Sequence, residues 1–165
     1  MEARMVRGGT GTGRAGLMAV AGACAAAIMT PLVAGWEGKR NDPYPDIVAV
    51  QTVCYGETRV PMRRYSDAEC DDMLADALRG FAEGVLMRNP ELRQRPHLLA
   101  AATSLAYNIG TAAYRRSSAA RHFSQGRWRE GCDAILLWNR AGGKVIRGLA
   151  NRRRSERAIC LEGLR

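Results

Sequence analysis

Hydrophobic and polar positions along this chain fall into three regimes. From Ala15 to Trp36 the run AGLMAVAGACAAAIMTPLVAGW carries no charge, and a run of that length is about enough to span a bilayer. Ten of the twenty residues from Ala15 to Ala34 are Ala or Gly, so its insertion into lipid is marginal. Arg4, Arg7 and Arg14 precede it, a basic stretch ahead of an apolar one. A polar, proline-bearing stretch follows, and Ile47-Val48-Ala49-Val50 then reads as a short strand whose hairpin returns near Cys54-Tyr55-Gly56. Beyond it the period becomes helical. Ser66 with Glu69 forms a capping box, and Met73, Leu74, Ala77, Leu78 and Phe81 continue at helical spacing. A second apolar helix runs from Pro96 to Gly110. Ser117 to Gly126 and Trp128 to Leu137 read as shorter helices, and Gly142-Gly143 as a loop before a last helix opening at Gly148-Leu149. The pattern predicts an α+β, mostly helical protein.

Length and charge narrow the class. The 165 residues suit one domain of ordinary size with a short extension, and a chain of this length can bury its own core. The net charge of +9 implies an anionic partner: nucleic acid, membrane headgroups or cell wall. The sequence has no glycine-rich phosphate loop and no nucleic-acid-binding motif. His97 and His122 lie outside ligand spacing of another donor and read as surface residues. Neither a metal nor a cofactor is implied. Trp128 and Trp138 read as core residues rather than sugar platforms.

The stretch from Trp36 to Thr58 carries the candidate chemistry. Glu37 and Asp46 are separated by a turn bracketed by Pro43 and Pro45, and Thr52 follows. Two carboxylates become an acid/base pair when their surroundings separate their proton affinities. Glu37, at the end of an apolar run, is expected at a helix end where desolvation favours the protonated acid. Asp46, near solvent and hydrogen-bond donors, is expected to stay ionised. On a regular strand Thr52 would share the face of Asp46, Val48 and Val50 and could orient a water. A protonated acid, a carboxylate and a hydroxyl across a cleft suit acetal hydrolysis. An ordinary helix-end Glu and turn Asp would have the same spacing.

This stretch resembles the active-site signature of the phage-type lysozymes, glycoside hydrolase family 24, an E-G-x(7)-D-x(5)-T-x-x-Y-G pattern in which Glu37, Asp46, Thr52 and Tyr55-Gly56 all match. Ala106-Tyr107-Asn108-Ile109-Gly110 and the closing WNRAGGKVIRGLANRRRSERAICLEG resemble the same family, so the likeness runs from Gly35 to Cys160. It implies a lysozyme-like fold, with a small β-hairpin lobe and a larger helical lobe, and an enzyme that cuts the β-1,4 bond between N-acetylmuramic acid and N-acetylglucosamine in peptidoglycan; the chain is expected to be a monomer. Glu37, Asp46 and Thr52 would be catalytic, and Tyr55 and Asn108 would bind substrate. Asn108 could instead cap its helix end. One of Arg152, Arg153 and Arg154 would reach back to Glu37, though spacing does not say which; otherwise the run is a solvated helix face.

The same resemblance bears on the apolar segment and the cysteines. Residues 1–14 would be a basic N-terminal region, 15–34 a signal-anchor-release segment and 35–165 the catalytic domain. Such a segment is exported by the host secretion machinery, tethers the inactive enzyme to the inner membrane and leaves it on depolarisation, releasing the enzyme to the periplasm. A cleaved signal, with Ala-x-Ala sites at Ala21–Ala23 and Ala25–Ala27, and a permanent anchor are the other readings. The closeness of Ala34 to Glu37 favours release. Among five cysteines the resemblance pairs Cys54 with Cys70 and Cys132 with Cys160, one of three connectivities open to four thiols. Cys24 is left over, as a possible redox switch toward Cys54 or as a small apolar residue. A lytic transglycosylase and a non-catalytic, membrane-tethered binding protein are the rival functions.

Overall fold

The structure, a computed structural model, describes residues 11–46 and 49–165. The uncharged run, with residues 12–14 ahead of it and Glu37 after it, folds as two helices, α1 (Thr12–Ala21) and α2 (Ala23–Glu37), bent by 119° at the break. Gly22 makes the bend with φ +84°, a conformation open to glycine. No single described helix is long and apolar enough to cross a membrane. One side of the pair is core: Leu17, Ala21, Ala25, Ala26, Met29 and Val33 are buried with the rest of the helical lobe. A Cβ on Gly13 would sit 2.2 Å from the Asp72 carbonyl oxygen, so only glycine permits this approach of α1 to the next long helix.

Two antiparallel strands follow, β1 (Arg40–Pro45) and β2 (Gln51–Cys54), with Tyr44 opposite Thr52. This corrects the strand expected over 47–50, of which Ile47 and Val48 lie outside the described residues. Asp46 accounts for the shift. Its N–H donates to the Val50 carbonyl at 2.9 Å and its Oδ1 accepts the Val50 N–H at 2.9 Å, while Ala49 has φ +62°. A short carboxylate that closes a turn on its own backbone outweighs the strand preference of neighbouring β-branched residues. The prolines of β1 are tolerated because a two-stranded ribbon is all edge. The chain does reverse again at Cys54–Gly56, where Val53 and Glu57 exchange backbone hydrogen bonds.

The helical lobe comprises α3 (Asp67–Arg88), α4 (Pro96–Ile109), α5 (Thr111–Arg116), α6 (Ser118–Ser124), α7 (Trp128–Ala134) and α8 (Arg147–Glu162). The capping box at Ser66 and Glu69 is formed as expected. Every residue of α4 from Leu98 to Ala106 is buried, because α2, α3 and α8 all pack on it. Ahead of α8 lies an unanticipated hairpin, β3 (Arg140–Ala141) and β4 (Lys144–Val145), turning at Gly142-Gly143. The expected disulfides are present: Cys54–Cys70 ties the hairpin lobe to α3, and Cys132–Cys160 ties α7 to α8. Loops of 16 and 28 residues lose about 3 kcal/mol of unfolded-state freedom each when closed. Both histidines are half-buried rather than on the surface.

The capping box makes stability depend on acid. The Glu69 carboxyl is held down at about 2 by hydrogen bonds from the Arg63 guanidinium and from the Ser66 backbone and hydroxyl. A carboxyl depressed in the folded state contributes stability above its unfolded value, near 4.5, and loses it as pH falls toward the folded value. The difference in thermal midpoint between wild type and Glu69→Gln is therefore expected to be constant near neutrality, to shrink below about pH 4.5 and to vanish near pH 2. Thermal unfolding followed by circular dichroism checks it.

Candidate active site

Glu37 is the last residue of α2. A carboxylate there meets the negative end of the helix dipole, and a cation offsets it. Arg152 Nη1 donates to Glu37 Oε1 at 2.7 Å, with the arginine side chain 6% exposed and the glutamate 25%. The apolar surroundings expected for Glu37 are thus only part of its environment. Of the three arginines that could have reached back, Arg152 is the one that does. Arg153 points into the protein and is fully buried, and Arg154 lies on the exposed side of α8. A helix places consecutive residues about 100° apart, so only one of the three can face α2.

Asp46 sits half-buried at the corner between β1 and β2, committed through backbone and side chain to Val50. Thr52, 3% exposed, donates its hydroxyl to the Tyr44 carbonyl across the ladder at 3.1 Å. The two residues therefore belong to one hairpin but lie on opposite sides of a turn, rather than on one face of a strand. Asn108 is exposed in the last turn of α4, and its side chain makes no hydrogen bond among the described residues. The backbone N–H of Gly110, not the Asn108 amide, caps that helix end by donating to Ala106.

Tyr55 has a structural partner. Its hydroxyl donates to Asp71 Oδ1 at 2.8 Å, and Asp71 also meets Lys39 at 3.5 Å and Arg14 at 3.4 Å. Burial and the Asp71 hydrogen bond push the Tyr55 hydroxyl above its ordinary range. One carboxylate of α3 thereby ties together α1, the segment after α2 and the hairpin lobe.

A groove of about 360 Å³ runs between the hairpin lobe and the helices. Its floor is Met73, Ala77 and Phe81 of α3, and its rim includes Glu57, Arg59 and Tyr107. Phe81 and Tyr107 pack with ring centres 5.0 Å apart and planes tilted by 54°. Burial first, then the carboxylates Glu37 and Glu57, push the Tyr107 hydroxyl up to about 12, so it stays a neutral phenol beside Glu37. The apolar stripe of α3 is in effect divided. Leu78 enters the core, Met73, Ala77 and Phe81 form a floor, and Leu74 belongs to both.

Comparison with known proteins places this geometry. The phage lysozyme family model matches residues 34–156, which include Glu37, the hairpin lobe, the groove and Arg152. The chain belongs to the phage lysozyme family. It is 39% identical over 134 residues to the SAR-endolysin of Bacteriophage PS119, covering 78% of each chain. It is also 39% identical over 134 residues to the SAR-endolysin of Enterobacteria phage P21, covering 78% of this chain and 79% of that one. Among solved structures, the endolysin from Escherichia coli O157:H7 phage FAHEc1 superposes with a TM-score of 0.72 at 24% identity, over 81% of this chain and 90% of that one, a likeness of fold. Membership makes this chain a lysozyme-type glycosidase of the endolysin class.

Sequence reasoning left three parts of the site unassigned: which arginine meets Glu37, the Glu57–Tyr107 rim, and a buried carboxylate, Glu156, behind Arg152. The last had a signal. Arg152 and Glu156 stand four apart on one helix, and Ser104 interrupts the apolar run of α4, so polar groups had to meet where those helices pack.

Proposed function

We propose that the protein is a muramidase that hydrolyses the β-1,4 bond between N-acetylmuramic acid and N-acetylglucosamine in peptidoglycan, and so lyses the host cell. The observation that carries this reading is Glu37, partly exposed at the end of α2 and held by the buried Arg152. Glu37 transfers its proton to the glycosidic oxygen. The carboxylate left behind gains a charge that Arg152 is already placed to meet, so the ion pair strengthens as the bond breaks and lowers the barrier rather than the ground state. Asp46 stabilises the oxocarbenium-like sugar and helps to position water. Thr52, whose hydroxyl proton is given to Tyr44, keeps oxygen lone pairs with which to accept a hydrogen bond from that water. Tyr55 and Asn108 flank the sugar chain, Asn108 with an amide open to solvent. The basic surface favours the anionic wall.

The apolar N-terminal run has a second role in this reading. It is weak enough as an anchor to tether the exported chain to the inner membrane and then to leave for the periplasm, where α1 and α2 join the core. The bent pair of helices, with one buried side, supports this over a cleaved signal, which would remove at least Leu17 and Ala21 from the core. Cys24, exposed on α2 and outside both disulfides, is then a thiol whose surroundings change on release.

Glu37→Gln should keep the wild-type fold and lose at least about a thousandfold in turnover, measured as release of reducing ends from purified peptidoglycan. Substantial residual activity, or products ending in anhydromuramic acid, would contradict the assignment. For the anchor, the expected outcome is full-length mass throughout, with movement from membrane to soluble fraction when a protonophore collapses the membrane potential. A shortened soluble product beforehand would indicate a cleaved signal.

A further inference from the structure

Behind the ion pair at Glu37 lies a second carboxylate that the proposed reaction does not use. Glu156 is fully buried. Its Oε1 accepts from Ser104 Oγ at 2.6 Å, from Arg153 Nη2 at 2.9 Å and from Arg152 Nε at 3.2 Å. Arg153, also fully buried, brings its Nε to 2.7 Å from Glu156 Oε2. A carboxylate taken this far out of water needs such partners. Burial pushes its proton affinity up, and Arg153, Ser104 and Arg152 oppose that.

The geometry points to Glu156 as a positioning residue for the acid, a role that rests on the muramidase reading of Glu37. A guanidinium is a rigid planar fork. With its Nε held by Glu156, the plane of Arg152 is set, and Nη1 is delivered to Glu37 at 2.7 Å. Ser104 fixes Glu156 to α4, so the aim of Arg152 is referred to the most buried helix of the protein rather than to the flexible length of its own side chain. Arg153 supplies the second positive charge. Without it Arg152 would be the sole cation for both Glu37 and Glu156 and would be drawn away from the site. Among the described residues, the charged and titratable groups facing this arrangement are Arg152 and Tyr107 toward Glu37, with Glu57 beyond the phenol, and Arg152 and Arg153 toward Glu156, where the neutral Ser104 hydroxyl also donates. Sharing Arg152 between two carboxylates also sets how strongly it acts on Glu37.

The test uses the full-length protein and Glu156→Gln, which keeps the shape and removes the charge. With Glu156 neutral, its negative charge no longer opposes ionisation of Glu37, and the weaker hydrogen bond to Nε leaves Arg152 less firmly aimed. The alkaline limb of the pH–turnover profile should move to lower pH by about one unit, and turnover at the wild-type optimum should fall about tenfold with KM little changed. Should the buried, unpartnered Arg153 prevent folding, Glu156→Gln with Arg153→Met removes both charges and reads the same quantities. A folded variant with wild-type profile and turnover would overturn the role. So would a loss of activity that leaves the limb in place. Carbon NMR titration of the Glu37 carboxyl in wild type and variant gives the same answer without turnover: a lower midpoint in the variant is expected, and an unchanged one overturns it. Failure of wild type to cleave peptidoglycan would instead count against the muramidase reading alone.

Discussion

The contact between Glu37 and Arg152 is the constraint around which the rest of the structure is arranged. Glu37 ends α2 and Arg152 lies in α8, 115 residues apart in sequence. The two helices meet because both pack on α4, whose middle is buried throughout. An acid at a helix C-terminus is poorly placed electrostatically unless a cation is brought to it, and a cation 6% exposed is poorly placed unless carboxylates surround it. Each group makes the other tolerable. The disulfide between α7 and α8 and the close approach of α1 to α3 stabilise the frame that holds them together.

The same frame explains how one apolar segment can satisfy two demands. As a run of Ala and Gly it is weakly lipophilic. As α1 and α2 it supplies small buried residues, and just ahead of it Gly13 lacks the side chain that would keep α1 from the backbone of α3. Arg14 then meets Asp71 and Asp72 at the rim of that contact, and Asp71 continues to Lys39 and Tyr55. Docking of α1 is in this way linked to the hairpin lobe that carries Asp46 and Thr52. In the proposed cycle, release from the membrane and assembly of the site are one packing event.

What could be read from the sequence was what neighbouring residues decide. The capping box at Ser66, the end of α4 at Gly110 and the breaks around Gly126 are local, and the helices on either side of them lie close to where the pattern put them, whereas the short α5 has no such signal. The two disulfides and the positions of Glu37, Asp46 and Thr52 came through a motif, which carries residue identity without showing where side chains point. The strand suggested by β-branched residues is not formed at Ala49 and Val50, because Asp46 closes a turn through hydrogen bonds that hydropathy does not register. The bend at Gly22 was hidden because an uncharged run looks alike whether it is one helix or two. The choice of Arg152 among three neighbours, and the existence of Glu156 as its anchor, depend on which side of α8 faces α4, a property of tertiary packing. The hydrogen bond from the Tyr55 hydroxyl to Asp71 lies between two elements, so no spacing within its own segment reveals it.

The central claim, that Arg152 and Glu37 act on each other rather than merely lying near each other, is tested most directly by a double-mutant cycle. Unfolding free energies of wild type, Glu37→Gln, Arg152→Met and the double variant at neutral pH give their coupling. The account predicts that the two single losses fail to add by about 1–3 kcal/mol, with the double variant less destabilised than their sum. Simple additivity would mean that the contact is incidental, and that something other than Arg152 holds Glu37 at the end of α2.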